Sequence, residues 1–451
     1  MQELQHPAIQ NCLLALSAAR TTQDAATAWM MLGGRFPGMK AIVSLPGMDR
    51  DVMPVALREH SDTGECLVPY FSSDRLFFLD DALVRDILLK EGMVFPVDYT
   101  VTLDTNAATY VHAFMQGKSG GDGGEKIRGL MEKLLLTDGL NFDHLFYVVE
   151  NSKVAARARK GGGATRMTFW RALSRKFRRN LVSLQLFCSI DTQAYRARGE
   201  IRMLATPRLA VQRAATYAWD SYGKPGATYL PGAGILKQRA LLLQVIGMVR
   251  IGHTPGGDAR TKLRDFVAFS HDTAAVMATR EIALAQRFFS SPSSIRLLER
   301  IKPGLKGRLI EHLDNTAWDL YAPRLLEELL ASGAGTQGRF MVPYIMSFDR
   351  GLKESVSGFR VKAVLFDEKT HFFQAVPEPA STAGLHGPEV QGILAHYMTQ
   401  EAVADRARRR PCDVAEMDRR IAQEYVKLVR LFRALRATRQ RRAEQCLESA
   451  C

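Results

Sequence analysis

Apolar residues in this chain recur in two ways: at helical spacing over long stretches, and as short unbroken runs with turn-forming residues at their ends. Residues 8–32 carry helical spacing and are rich in alanine, which predicts a helical start. Cys66-Leu67-Val68-Pro69-Tyr70-Phe71 and Leu76-Phe77-Phe78-Leu79 predict strands, and residues 81–91 a short helix. Pro96-Val97-Asp98-Tyr99-Thr100-Val101-Thr102-Leu103 is β-rich and runs into Asp104, with a helix expected over 106–116 and another over 127–136. Phe146-Tyr147-Val148-Val149 is a β-like run or the start of a helix, and it stops at Glu150. Residues 239–250, 261–289, 292–301 and 317–331 read as mainly helical. Met341-Val342-Pro343-Tyr344-Ile345-Met346-Ser347-Phe348 predicts a strand that ends at Asp349. Strands over 361–366 and 374–376 follow. Near the end, Ile421, Tyr425, Leu428, Phe432 and Leu435 form one apolar stripe on a helix, which is expected to dock on the body of the protein or on a partner helix.

These patterns divide the chain into a mixed α/β module over 1–97, a core over 98–377 with a basic helical insertion at about 151–260, a linker at 378–388 rich in Pro, Gly, Ser and Ala, and a basic helical tail over 389–451. At 451 residues the chain is long enough for a large core. The six cysteines form no CxxC pair and no zinc-like grouping, which predicts reduced thiols in a cytoplasmic protein. The first residues lack the basic and apolar pattern of a signal peptide, and no apolar run is long enough to span a bilayer, so no membrane association is expected. The glycine-rich stretch 117–124 lacks the ending of a P-loop and predicts only a flexible loop.

Net charge is +14, and the excess is clustered. Residues 151–182 hold ten Lys and Arg and no Asp or Glu, with Phe169, Trp170 and Phe177 among them. Charge of this kind tracks phosphates, and the rings could stack on bases; the plainer alternative packs the rings inward and leaves the charges solvated. Arg171, Arg175, Lys176, Arg178 and Arg179 are the expected nucleic-acid contacts. In the tail, Arg430, Arg433, Arg436, Arg439, Arg441 and Arg442 form a second positive face.

The acids are more specific. Asp104 and Asp349 each stand where a strand should end and a helix or turn begin. Such an Asp is often only a helix cap, yet in an open parallel sheet it also points into the crevice where ligands bind. Asn106 could hydrogen-bond the Asp104 carboxylate and fix its rotamer. Asp319 lies in a predicted helix beside Trp318; Glu281 heads an apolar helix, where it could cap or project into a cleft. Carboxylates gathered in space can hold a divalent cation.

The ordered set resembles the PIN-like nuclease family: Asp104-Thr105-Asn106 after the first core strand, a middle Glu supplied by Glu281 or Glu150, the helix Asp319, and Ser347-Phe348-Asp349 after a late strand. The resemblance covers roughly residues 98–150 and 270–375, and departs from a minimal domain in the long stretch between Glu150 and Glu281. It implies a three-layer α/β fold with a central parallel sheet. It also implies a carboxylate-bound Mg2+ or Mn2+ site built from Asp104, Glu150, Glu281, Asp319 and Asp349, with Asn106 and Ser347 supporting it. The implied activity is hydrolysis of phosphodiesters by activated water, with RNA the commoner target than DNA. Without a cation such carboxylates would repel one another and their pKa values would rise. Arg280 and Arg350 are candidate phosphate clamps, and a partner protein or a second copy could engage the C-terminal helix. The competing expectation is a nucleic-acid-binding scaffold of the same shape that cuts nothing. A Ser-His-Asp hydrolase is not expected, because no G-x-S-x-G occurs.

Overall fold

Two of the apolar runs that precede acids lie side by side. Strand β4 (Val97–Leu103) pairs in parallel with β6 (Phe340–Met346), Val101 opposite Tyr344 and Leu103 opposite Met346. On its other edge β4 pairs in parallel with β5 (Leu140–Asp143), and β2 (Leu67–Pro69) closes the far edge antiparallel to β6, giving the order β2-β6-β4-β5. All seven residues of β6 are buried, as are six of seven in β4. Unbroken apolar runs are what parallel strands covered on both faces require. Pro343 sits within β6, and pairing to β2 stops at Tyr344, one residue short of the position that has no N–H to give.

A second sheet is wholly antiparallel, in the order β3-β1-β7-β8, formed from β1 (Met39–Ser44), β3 (Leu76–Leu79), β7 (Val361–Asp367) and β8 (Phe372–Pro377). The helices Pro7–Ala18 and Thr22–Met30 cover it, burying Ile9, Cys12, Leu16 and Trp29 against Ala41, Val43, Ala363 and Leu365. A capping box at Thr21 and Asp24 breaks the expected continuous helix in two.

The structure, a computed structural model, describes residues 7–32, 34–47, 57, 66–88, 97–118, 122–137, 139–160, 165–224, 233–305, 308–332 and 338–448. The chain is a mixed α/β protein, mostly helical, and divides into two compact units: Met1–Leu230 with Ala322–Glu378, and Pro231–Tyr321 with Pro379–Cys451. This differs from the expected division. Residues 1–97 are not set apart from 98–377 by strand pairing, since β1 pairs with β7 and β2 with β6. The expected linker over 378–388 folds into a short helix, Pro379–Thr382, and a 3₁₀ turn, Ala383–His386. The glycine-rich 117–124 stretch carries the start of the helix Asp122–Leu136. Residues 146–149, ambiguous between strand and helix by pattern alone, are helical within Leu145–Glu150.

The second unit is helical. Its C-terminal helix, Val414–Glu448, lies along the helix Ala233–His253, with Ile421, Leu428 and Phe432 buried. Arg250 Nε donates to Glu424 Oε2 at 3.0 Å, and the His253 and Phe432 rings meet edge to face at 5.2 Å. Three residues of the apolar stripe read from the sequence thus dock within the chain, while Tyr425 and Leu435 are half-buried. Among the described residues no helix is long and apolar enough to cross a membrane.

A candidate carboxylate site at the ends of parallel strands

The parallel sheet brings the ends of β4 and β6 together, and each is followed by an Asp that caps a helix. Asp104 precedes the helix Thr105–Met115 and its Oδ1 accepts the Ala107 N–H at 2.6 Å. Asp349 precedes the helix Arg350–Ser357 and its Oδ1 accepts the N–H groups of Gly351 at 2.6 Å and Leu352 at 3.4 Å. The capping role weighed from the sequence is therefore present for both. What capping alone does not require is the link between them. The backbone N–H of Asp104 donates to the Met346 carbonyl at 3.3 Å. The Ser347 hydroxyl donates to Asp104 Oδ2 at 2.5 Å and accepts the Asp349 N–H at 3.0 Å. A fully buried serine therefore joins two acids that are far apart in the chain.

Glu150 arrives at the end of the helix Leu145–Glu150, which packs on β4. Its Oε2 accepts the Thr105 N–H at 3.2 Å and the Thr105 hydroxyl at 2.5 Å, while Asn151 Nδ2 donates to that hydroxyl oxygen at 3.0 Å. Thr105 is thus the bridge between Asp104 and Glu150. Neither Thr105 nor Asn151 was expected to take part; the only signal was adjacency to acids already singled out.

The three acids differ in exposure: Asp104 is buried, Glu150 half-buried and Asp349 open to solvent. Burial pushes the Asp104 carboxyl up to about 7; the Ala107 and Ser347 hydrogen bonds act against that shift, and the charges of Glu150 and Asp349 add to it. Burial also raises Glu150; the Thr105 bonds and the Lys153 charge oppose this, and Asp349 adds to it. Three carboxylates from distant stretches therefore feel one another. They feel one another without touching a common point: among the described residues no three His, Cys, Asp or Glu side chains are arranged to hold a metal ion.

The other expected residues fall as follows. Ser347 hydrogen-bonds Asp104. Asn106 does not: it is exposed, and the bonds that hold Asp104 come from Ala107 and Ser347. Glu281, buried in the helix Thr279–Ser290, and half-buried Asp319, in the helix Leu309–Ser332, belong to the second unit, as does Arg280. Arg350 is exposed in the first turn of the helix that Asp349 caps. Asp143, which sequence reading passed over, ends the third parallel strand. It caps Leu145 at 2.7 Å and accepts from Thr102 at 3.3 Å. Its charge acts on His144 and Cys188, so it keeps its own neighbourhood.

In the basic insertion the expected cations are mostly exposed, whereas the rings among them are not. Arg171, Arg175, Lys176 and Arg179 are exposed and Arg178 is half-buried. Phe169, Trp170 and Phe177 are buried; Phe177 stacks on Tyr147 at 5.3 Å, so these rings are core and not base-stacking surfaces. The helix Arg175–Phe187 packs on Thr105–Met115, the helix that Asp104 caps. Comparison with protein-family models, with curated proteins and with solved structures finds no match for this chain.

Proposed function

We propose that this chain is a metal-dependent nuclease of PIN-like design that hydrolyses phosphodiesters, with RNA as the favoured substrate. The observation that carries the reading is that Asp104 and Asp349 follow neighbouring parallel strands and share Ser347, while Glu150, at the end of a helix, bonds Thr105 next to Asp104, whose carboxyl is pushed up by burial and by the other two charges. The donor set suits a hard cation: carboxylate oxygens, one kept from water and one open to it. The described hydrogen bonds engage Oε2 of Glu150 and Oδ1 of Asp349, each of which carries a second oxygen.

Mg2+ or Mn2+, when bound there, would supply charge for the phosphate oxygens and lower the pKa of water. The chain's own residues then have separable roles. Ser347 fixes the Asp104 carboxylate and Thr105 fixes that of Glu150, so neither reorients as substrate arrives. Asp349 is the acid that substrate approaching from solvent meets. Arg350 and the exposed cations of the helix Arg175–Phe187 favour a polyanion. The expected set also includes Glu281 and Asp319, whose contribution is read directly by substituting each.

One observation favours the second reading, a binding scaffold without catalysis: Asp104 and Asp349 are both satisfied as helix caps. A single experiment separates the two. Purified protein is incubated with labelled single-stranded RNA and DNA, with EDTA, Mg2+ or Mn2+, beside Asp104→Asn, Glu150→Gln, Asp349→Asn, Glu281→Gln and Asp319→Asn. The nuclease reading expects metal-dependent cleavage that falls at least about 100-fold in the first three variants, the range seen when one group that stabilises charge in a transition state is removed. Binding without cleavage in every buffer would leave the scaffold.

A further inference from the structure

Beside the carboxylates stand two aromatic rings that the core does not absorb. Tyr110, on the helix capped by Asp104, is 38% exposed. Phe348 lies between Ser347 and Asp349 and is half-buried. Their ring centroids are 4.7 Å apart with an interplanar angle of 67°, so one ring's edge meets the other's face. An edge-to-face partner holds a ring in place and leaves part of its surface free. Phe169, Trp170 and Phe177 are committed to packing, whereas Tyr110 and Phe348 keep ring surface next to the acids.

Asp349 directly follows Phe348 and is exposed. The helix that carries Tyr110 is packed by Arg175–Phe187, which presents Arg175, Lys176 and Arg179 to solvent. A ligand that crosses this region must offer a flat apolar face to Tyr110 and anionic groups to the cations. An unpaired nucleotide strand does both; a duplex does not, because its bases are already stacked on each other.

We infer that Tyr110, braced by Phe348, is a stacking platform for one unpaired base of a single-stranded nucleic acid beside the carboxylate site. The inference rests on the proposed function for its ligand and assigns that site a single-strand preference. Stacking on one ring contributes about 5- to 100-fold in affinity.

The test uses the full chain in EDTA, so that binding is read apart from cleavage. Single-stranded RNA carrying one 2-aminopurine, scanned along its length, is titrated with wild type, Tyr110→Ala and Tyr110→Phe, with the matching duplex as a control. Expected are quenching of 2-aminopurine at one position by wild type and Tyr110→Phe, loss of that quench with about 5- to 100-fold weaker binding in Tyr110→Ala, and no quench with duplex. A position-specific quench in a protein that cuts nothing under any metal would remove the nuclease reading and keep the platform. Quenching unchanged in Tyr110→Ala, equal quenching with duplex, or no binding of single strands at all would overturn it.

Discussion

Asp104 is a buried acid whose neutral form the fold favours, and this has a direct thermodynamic consequence. An ordinary Asp carboxyl titrates near 4, and here it is pushed up to about 7, with burial as the main cause. The folded chain therefore binds this proton more tightly than the unfolded chain. Stability from Asp104 is whole below about pH 4 and is lost as pH rises through about 7. In EDTA, Asp104→Asn keeps an acceptor for the Ala107 N–H, turns the atom facing Ser347 from acceptor to donor, and removes the buried charge. The variant should be more stable than wild type at pH 8, by about 2–4 kcal/mol, and the gain should shrink toward zero near pH 4. Melting temperatures of both proteins from pH 4 to 8 check this; a difference that does not change with pH would mean Asp104 is not the titrating group. Cation binding works in the other direction, because it rewards the ionised form. Mn2+ should raise the melting temperature of wild type, by about 2.7 kcal/mol of stability at a concentration of 100 times Kd, and should do little for Asp349→Asn.

At the scale of elements, what the sequence disclosed depended on how local each signal was. Strands β4 and β6 were legible because each is an unbroken apolar run that stops at an acid. Strand β5 was not, since Leu140-Asn141-Phe142-Asp143 is only four residues and only partly buried. The break at Thr21 was readable as a Ser/Thr-x-x-acid cap and went unread. The pairing of β1 with β7 spans more than 300 residues and leaves no local trace; it could not have been read from one sequence. For the same reason the sequence named Asp104, Glu150, Ser347 and Asp349 but not Thr105, whose role exists only once Glu150 is folded beside it. The C-terminal helix allows a test at this scale. Leu428 is fully buried against the rest of its unit, so Leu428→Ala should cost about 2–5 kcal/mol, while Arg433→Ala, exposed on the same helix, should cost little. Chemical denaturation of both variants checks the pair.

For the whole molecule, the +14 charge matters through its distribution. Phe169, Trp170 and Phe177, the rings among the clustered cations, are interior, so what those cations offer a nucleic acid is attraction to phosphates. Neutralising Arg175, Lys176 and Arg179 together should weaken single-strand binding for all sequences alike. It should also lower the slope of log K against log salt by about 0.7 for each phosphate that is no longer neutralised. Fluorescence anisotropy across a salt series measures it, and an unchanged slope would mark these residues as solvated surface alone.

The hydrogen bond from Ser347 to Asp104 closes over 243 positions of chain. A ribosome adding about 5–20 residues per second needs roughly 10–50 s to travel between those two codons. For most of that interval the newborn polypeptide carries Asp104 and Glu150 but has neither the serine that ties Asp104 nor the aspartate that faces solvent. Assembly of the cluster is therefore timed by translation: a messenger still being decoded shares the polysome with chains whose carboxylates have not yet been brought together.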